Sequence, residues 1–414
     1  MPGLHRERPG ADAMAPATDA PAHDLGDGIW MSSGLSNSYL IQTDDGRVVV
    51  NTGMGFEGQF HRRAFDAIDD TPTRAVILTQ GHYDHVGGLE LLRDEGSEVI
   101  AQANFGVWRD DNERLETFRS RNSAFAWIDA ILAAIEHAQS LGVDVAPRAT
   151  PEPTVVVDQR LELTIGGRQL ELIATPGGET FDSMVVWVPA SRTLFSGNLF
   201  GPLFGHVPNL VTIRGDRYRD ALTYIDSLAV VLELEPERLI TGHFDPIDGA
   251  GRIADEVSAM QEAMGWVHDR TVDGMNAGTD VHTLMREVRT PDNLDIGEGY
   301  GQTKWNVRAI WENYAGWFHH RSTTELYGVP PLAIAPDLVA AAGTEALLTA
   351  ATVHLEGGRP VEALQITDIV LAADPGHAGA RGVATAAHEQ LLDATTNFWE
   401  RAWLRRAINK LAKA

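Results

Sequence analysis

Short apolar runs broken by turn signals open the patterned part of the chain. In "GIWMSSGLSNSYLIQTDDGRVVVNTG" the runs are strand-length, and the breaks "SGLSNS" and "DDGR" are built from residues that supply turn conformations. "FEGQFHRRAFDAIDDTP" switches to helical spacing and stops at Pro72. "RAVILTQGHYDH" reads as a buried strand running straight into a polar cluster, "GLELLRDEG" as a helix and "EVIAQ" as another strand. This β-β-α-β-α order predicts an α/β domain with the cluster at the C-terminal end of a strand, where such folds place their chemistry.

Residues 104–145 read as a mostly helical insertion, with an apolar stripe in "AFAWIDAILAAIEHAQSLG" and a stop at Gly142. Strand spacing returns in "TVVVD", "LELTIGG", "QLELIATPGG" and "MVVWVPASRTLFSGN", and the alternation predicts an antiparallel meander. "RYRDALTYIDSLAVVLELEP" is a helix and "RLITGHFDP" a strand ending in a histidine. Past about residue 250 the pattern is helical throughout. The stretch from Ala346 to Leu391 has the small residues and "ADP" break of helix-turn-helix repeats, too few for a solenoid, so a helical annex is expected. "FWERAWLRRAINKL" is an amphipathic helix whose Trp and Leu face needs cover, within the chain or across a dimer. The first 24 residues, rich in Pro, Ala and Asp, are expected to form a disordered tail, with Met14 as an alternative start. The expected organisation is a tail over 1–24, a catalytic domain over 25–250 and a helical domain over 251–414.

Composition narrows the classes. The 414 residues, 43% hydrophobic and 22% charged, suit a soluble globular protein. A net charge of −25 argues against nucleic acid as partner, since phosphates need Lys and Arg. Lys304, Lys410 and Lys413 are the only lysines, so arginine carries the positive charge. The absence of cysteine removes disulfides, thiolate nucleophiles and Cys-ligated zinc. No apolar run is long enough to span a membrane, and a cytoplasmic location is expected.

The candidate chemistry lies in "TQGHYDHVGG", residues 79–88, which carries Gln80, His82, Asp84 and His85. His-x-Asp-His in a loop after a strand can present two imidazoles and a carboxylate to neighbouring points, a donor set that suits Zn, Mn or Fe(II). Glu179 in "TPGGETFD", Asn198 in "LFSGN" and His243 in "ITGHFDP" each stand just past an apolar strand, which is the placement a shared site requires.

The order "NTG", "QGHYDHVGG", "TPGGET", "LFSGN", "TGHFDP" resembles the metallo-β-lactamase superfamily. Beyond it, "TIRGDRYRDALTYIDSL", "VHDRTVDGMNAGT", "GYGQTKWNVRAIWENYAGWF" and "ARGVATAAHEQLLDATTNFWERAWLRRA" resemble the zinc-dependent alkyl sulfatases and their dimerisation domain. The resemblance implies an αββα sandwich followed by an all-helical dimerisation domain, and a homodimer. It places a first metal on Gln80, His82 and Glu179, a second on Asp84, His85 and His243, and the bridging carboxylate of the family on Asn198. It assigns sulfate binding to Arg214 and Tyr300. For Arg214 the structural alternative is an ion pair with Asp216 or Asp220; the loop holding Tyr300 and Lys304 could close over the site or form a plain domain contact.

Three positions depart from the family: Gln80 stands for His, Asn198 for an acid, and Asn51 for Asp. Neutral amide oxygens are weaker ligands, so the second site is expected to be the strong one, and Gln80→His to raise the stoichiometry toward two ions. The chain ends before the lipid-carrier-like domain that such enzymes often add. The expected function is therefore hydrolysis of a small or medium alkyl sulfate, a small anionic ester, by metal-activated water, with Asp84 as the catalytic residue that both ligates and orients the nucleophile, and one or two zinc ions, or Fe or Mn, per chain. The alternatives are another ester, lactone, thioester or phosphoester in the same site, a di-iron redox protein, and a catalytically silent dimeric scaffold.

Overall fold

Val48 and Val50 leave their strand on one side and Val49 on the other, and all three are buried. A strand apolar on both faces needs a layer on each side. The computed structural model, which describes residues 3–143, 151–211 and 213–413, shows both layers. The far end of the expected insertion (144–145) and Thr212 of "TIRGD" fall outside the described residues.

One sheet runs in chain order through β1 (His23–Gly26), β2 (Ile29–Ser32), β3 (Ser38–Thr43), β4 (Gly46–Val50), β5 (Thr73–Ile77), β6 (Glu98–Gln102) and β7 (Val155–Val157). Its first four strands pair antiparallel and the rest parallel. The second sheet holds β8 (Arg160–Ile165), β9 (Arg168–Ala174), β10 (Met184–Val188), β11 (Thr193–Gly197), β12 (Arg238–Thr241) and β13 (Ile247–Asp248). β8 to β11 form the expected antiparallel meander, and β12 lies parallel to β11. Val48, Val50, Ile77 and Ile100 of one sheet meet Leu172, Val186, Phe195 and Ile240 of the other in a shared core. On the outer face, Val49, Val76 and Val99 pack with Ala64 and Phe65 of α1 (Gly58–Asp66), with Val86 of α2 (Tyr83–Val86) and with Leu89 and Leu92 of α3 (Leu89–Leu92). The insertion forms α4 (Phe105–Arg114) and α5 (Glu116–Ser140). Asp220 caps α6 (Ala221–Leu234) by accepting from Thr223 N–H, and α6 packs with α7 (Ala250–Asn276), which lies on β12 and β13. The αββα sandwich is complete.

Two expectations need correction. The first compact unit runs to Tyr314, so α7, α8 (Val281–Glu287) and most of α9 (Thr303–Ala315) belong with the sandwich and the division does not fall at 250. Helical periodicity marks the change of element and says nothing of which neighbour buries the helix. Residues 3–22 are also no disordered tail. Leu4, Ala11 and Ala17 are buried; Gly3 N–H and Leu4 N–H donate to Asp295 and Glu256 at 2.7 Å, and Ala17 N–H donates to Glu57 at 2.9 Å. This strap is tied down through backbone donors to distant carboxylates, which leaves no periodic trace in the sequence.

The second unit, from Ala315, is helical: α10 (Ala335–Ala342), α11 (Thr344–Glu356), α12 (Pro360–Ala373), α13 (Ala378–Ala394) and α14 (Phe398–Lys413). Successive helices pack on one another around small residues, among them Ala351, Ala363, Ala380, Ala384 and Ala387. Trp399 is fully buried there, so part of the cover that "FWERAWLRRAINKL" requires comes from its own unit. Among the described residues no single helix is long and apolar enough to cross a membrane.

Phe195 sits between the sheets with its ring 5.3 Å from that of Tyr39, whose hydroxyl donates to Thr241 O at 2.6 Å beside the site. Phe195→Ala is expected to lower the unfolding free energy of the sandwich by about 3–5 kcal/mol, read from urea denaturation.

Candidate metal centre

The loop after β5 is fastened before it reaches its polar cluster. Asn51, at φ 58°, uses the left-handed conformation that Asn tolerates, and its Oδ1 accepts from both the N–H and the hydroxyl of Thr79 at 3.0 Å. Thr52 N–H donates to His85 O at 2.8 Å. Asn51, which departs from the family's Asp, thus shapes the loop from the end of β4.

Asp84, His85 and His243 converge, with their ligand atoms all within 4.8 Å of one another. Asp84 Oδ2 lies 3.4 Å from His85 Nε2 and 3.7 Å from His243 Nε2. The tautomers follow from the partners on the other side of each ring. Ser36 Oγ–H donates to Gly242 O at 3.2 Å, so it accepts from His85 Nδ1–H at 3.1 Å. His243 Nδ1–H donates to Leu35 O at 2.6 Å. Both Nε2 atoms therefore carry lone pairs, and both are buried without a hydrogen-bond partner. Burial pushes His85 down to about 4, which keeps it neutral. Two bare imidazole nitrogens and a carboxylate are a fitting donor set for one divalent ion with a position left open. Asn198 Oδ1 is likewise buried and unbonded nearby. A Cβ at Gly242 would fall 2.4 Å from that oxygen and 2.7 Å from His85 Cε1, so only glycine lets the strand end pass.

Gln80, His82 and Glu179 are brought together too, but with other partners. Arg214 Nη2 donates to His82 Nε2 at 3.0 Å. A neutral imidazole has one acceptor nitrogen, so the Gln80 amide, 2.9 Å from Nδ1, must turn its oxygen to the Nδ1–H. Burial, and after it the Arg214 charge, holds His82 near 3, so the ring is neutral. Glu179 lies 3.8 Å from Arg214 and 3.7 Å from Arg219, and accepts from the Asn198 amide at 3.1 Å. Its burial opposes ionisation, but the two guanidinium groups more than offset that and hold it below the usual carboxylate range. With the acceptor nitrogen of His82 taken and Glu179 already neutralised, these three residues do not fit an ion in this arrangement. Arg214 bonds His82 and pairs with Glu179, two of the three residues that the family resemblance assigns to a first ion.

Arg214 makes the ion pair expected as its structural alternative, with Asp216. Its Nε donates to Asp216 at 2.6 Å, and it lines the cavity that holds Asp84 and His243. The cavity, about 260 Å³, is lined by polar residues, among them His82, Asp84, Glu179, Asn198, Arg214 and His243, and by apolar ones, among them Met14, Leu35, Met54, Trp127 and Ile131. Tyr300 is 4% exposed and lines the same cavity. Asp220 caps α6, and Asp216 pairs with Arg214. Sequence reading missed Ser36, Arg219 and Trp108, whose ring centroid lies 5.2 Å from that of His82. Only the charge run "RGDRYRD" carried a signal for Arg219.

A strand-end site of this composition between two sheets with helices outside defines the class: the chain belongs to the metallo-beta-lactamase superfamily, which residues 32–243 match. Residues 282–413 match the alkyl sulfatase dimerisation family. The chain is 24% identical over 388 residues to a linear primary-alkylsulfatase of a Pseudomonas strain, covering 88% of this chain and 72% of that one. It is 25% identical over 403 residues to an alkyl/aryl-sulfatase of Saccharomyces cerevisiae, covering 91% and 62%. The solved structure of the stereoselective inverting sec-alkylsulfatase Pisa1 from Pseudomonas sp. superposes with a TM-score of 0.81 at 24% identity, covering 95% of this chain and 66% of that one. The chain thus spans about three fifths to seven tenths of the length of these relatives.

Calorimetric titration of chelator-stripped protein with zinc is expected to give one tight site per chain. Ser36→Ala, which frees the Nδ1 side of His85, should weaken that site by about 10–100-fold. Gln80→His alone should leave the stoichiometry at one, because Arg214 still occupies His82 Nε2; two equal sites in the wild type would contradict this arrangement.

Proposed function

We propose that the protein hydrolyses small or medium alkyl sulfate monoesters with one divalent ion, zinc foremost, held by Asp84, His85 and His243. The observation that carries the reading is the pairing, in one cavity, of two unbonded imidazole nitrogens beside a carboxylate with a guanidinium fixed by its own counter-ion. The names of the alkylsulfatase relatives support the choice of ester.

When bound, the ion supplies a water acidic enough to act as nucleophile near neutral pH. The chain does the rest. Asp216 holds Arg214 by its Nε, which aims the guanidinium and leaves it charged: burial works against the charge, and Asp216 and Glu179 outweigh it. Arg214 receives the sulfate oxygens, and the buried Tyr300 phenol offers a second polar contact to the same head group. Asp84 orients the attacking water. Trp108 and the apolar wall exclude bulk solvent from the polar end, which strengthens each of these contacts.

Sulfate release from a series of primary and secondary alkyl sulfates, measured on protein purified without chelator and assayed for bound metal, tests the reading. Turnover that is lost on metal removal and restored by zinc is expected. Metal-loaded protein that releases no sulfate from any member would overturn it. Arg214→Lys should lower kcat/KM by about 10–100-fold, chiefly through KM, since one ammonium replaces a planar fork. His243→Ala should abolish metal-dependent turnover with the fold intact by circular dichroism, because one of three ligands is gone.

We also propose a homodimer formed through the helical unit. Its family match and a set of exposed apolar side chains, Trp317, Tyr327, Val329, Ile334, Val353 and Val361, support it. Light scattering at micromolar concentration should give twice the chain mass; a monomer would remove the idea.

A further inference from the structure

The N-terminal strap reaches the cavity and contributes part of its wall. Met14 is half-buried and packs against the cluster built on Leu35 and Phe56, as do Met54, Ile131 and Ile135. Four of these six residues, Met14 itself with Leu35, Met54 and Ile131, line the cavity. Near the cavity the strap is held by a buried carboxylate. Glu57, 0% exposed, accepts from Ala17 N–H at 2.9 Å, Leu35 N–H at 2.7 Å and Met54 N–H at 2.9 Å. Three separate segments of the apolar wall therefore meet on one side chain. Ala17 is fixed a second time, packed with Phe60, Ala138 and Val143. Leu35 continues the chain of contacts to the site, because its carbonyl accepts from His243 Nδ1–H.

We propose that this strap sets the length of the apolar group that the cavity accepts, with Met14 as its far wall and Glu57 as the latch that holds the wall in place. The inference rests on the alkyl sulfate reading for the identity of the head group and adds the determinant at the opposite end. A ligand with one anionic head bonds at Arg214, and its tail runs toward Leu35, Met54 and Met14. Each added methylene gains affinity while it finds apolar surface, by about fourfold, until it meets the end of the wall. Methionine suits that place: it is unbranched and polarizable, and it adapts to the tip of a chain without opening a gap.

The test uses linear alkyl sulfonates from butyl to decyl, which keep the anionic head and lack the scissile ester oxygen. Their binding to zinc-loaded wild type, Met14→Ala, Met14→Phe and Met14→Leu is measured by calorimetry, with thermal melting to establish that each variant is folded. In the wild type, affinity should rise about fourfold per methylene and then level off at a limiting length. Met14→Ala should move that limit to longer chains, Met14→Phe to shorter ones, and the near-isosteric Met14→Leu should leave it unchanged. Should the phenylalanine variant unfold, the alanine and leucine variants decide alone. The same limit in the alanine variant as in the wild type, or no sulfonate binding at all, overturns the proposal. A limit that depends on Met14 in a protein that releases no sulfate from alkyl sulfates would overturn the hydrolase reading and leave the wall standing.

Discussion

Two hydrogen bonds from one short loop hold the site together. Between β2 and β3 the chain offers the Leu35 carbonyl and the Ser36 hydroxyl, and each takes the Nδ1 proton of a different histidine. With those protons committed, both Nε2 lone pairs can only face Asp84. The loop is in turn bonded from both sides. Asn37 N–H donates to Gly242 O at 2.9 Å and its amide to Phe244 O at 2.8 Å, while Leu35 N–H is taken by Glu57. A shift of this loop would disturb both rings at once.

The charges beside the imidazoles are arranged with equal economy. Asp216 is shared by Arg214 and Arg119, whose Nε lies 3.0 Å from it, and although burial opposes its ionisation these cations hold it near 2. Glu179 is shared by Arg214 and Arg219. Three guanidinium groups face these two carboxylates, and Asp84 on the same cavity brings the carboxylates to three, so the excess positive charge that an anionic head group needs would come from a bound divalent ion.

Most of this was legible in the sequence where a residue's context was local. The strand-end positions of Asp84, His85, Asn198 and His243 followed from apolar runs that stop at polar residues, and all four do meet at one end of the sandwich. The alternation in "QLELIA" gave the meander of the second sheet. What escaped depends on contacts across hundreds of residues. Arg214 reaching His82, Gly3 reaching Asp295 and Ala17 reaching Glu57 are single bonds between distant segments, and no spacing rule records them. Gln80 was readable as a weak ligand; that an arginine takes the place beside it was not. Ser36 lay inside a turn signal, where a serine has an ordinary reason to be.

The three proposed ligands do not share a sheet. Asp84 and His85 follow β5 in one layer, and His243 follows β12 in the other. An ion held among them is a rivet through the open rim of the sandwich, at the end where no side chain crosses as a covalent link. Its mass action reaches the fold itself: free metal at a thousandfold its dissociation constant adds about 4 kcal/mol to the unfolding free energy. In a cell where metal supply varies, the supply would set how long this protein survives as well as how fast it works, and the chain that goes hungry for metal would be the first one cleared.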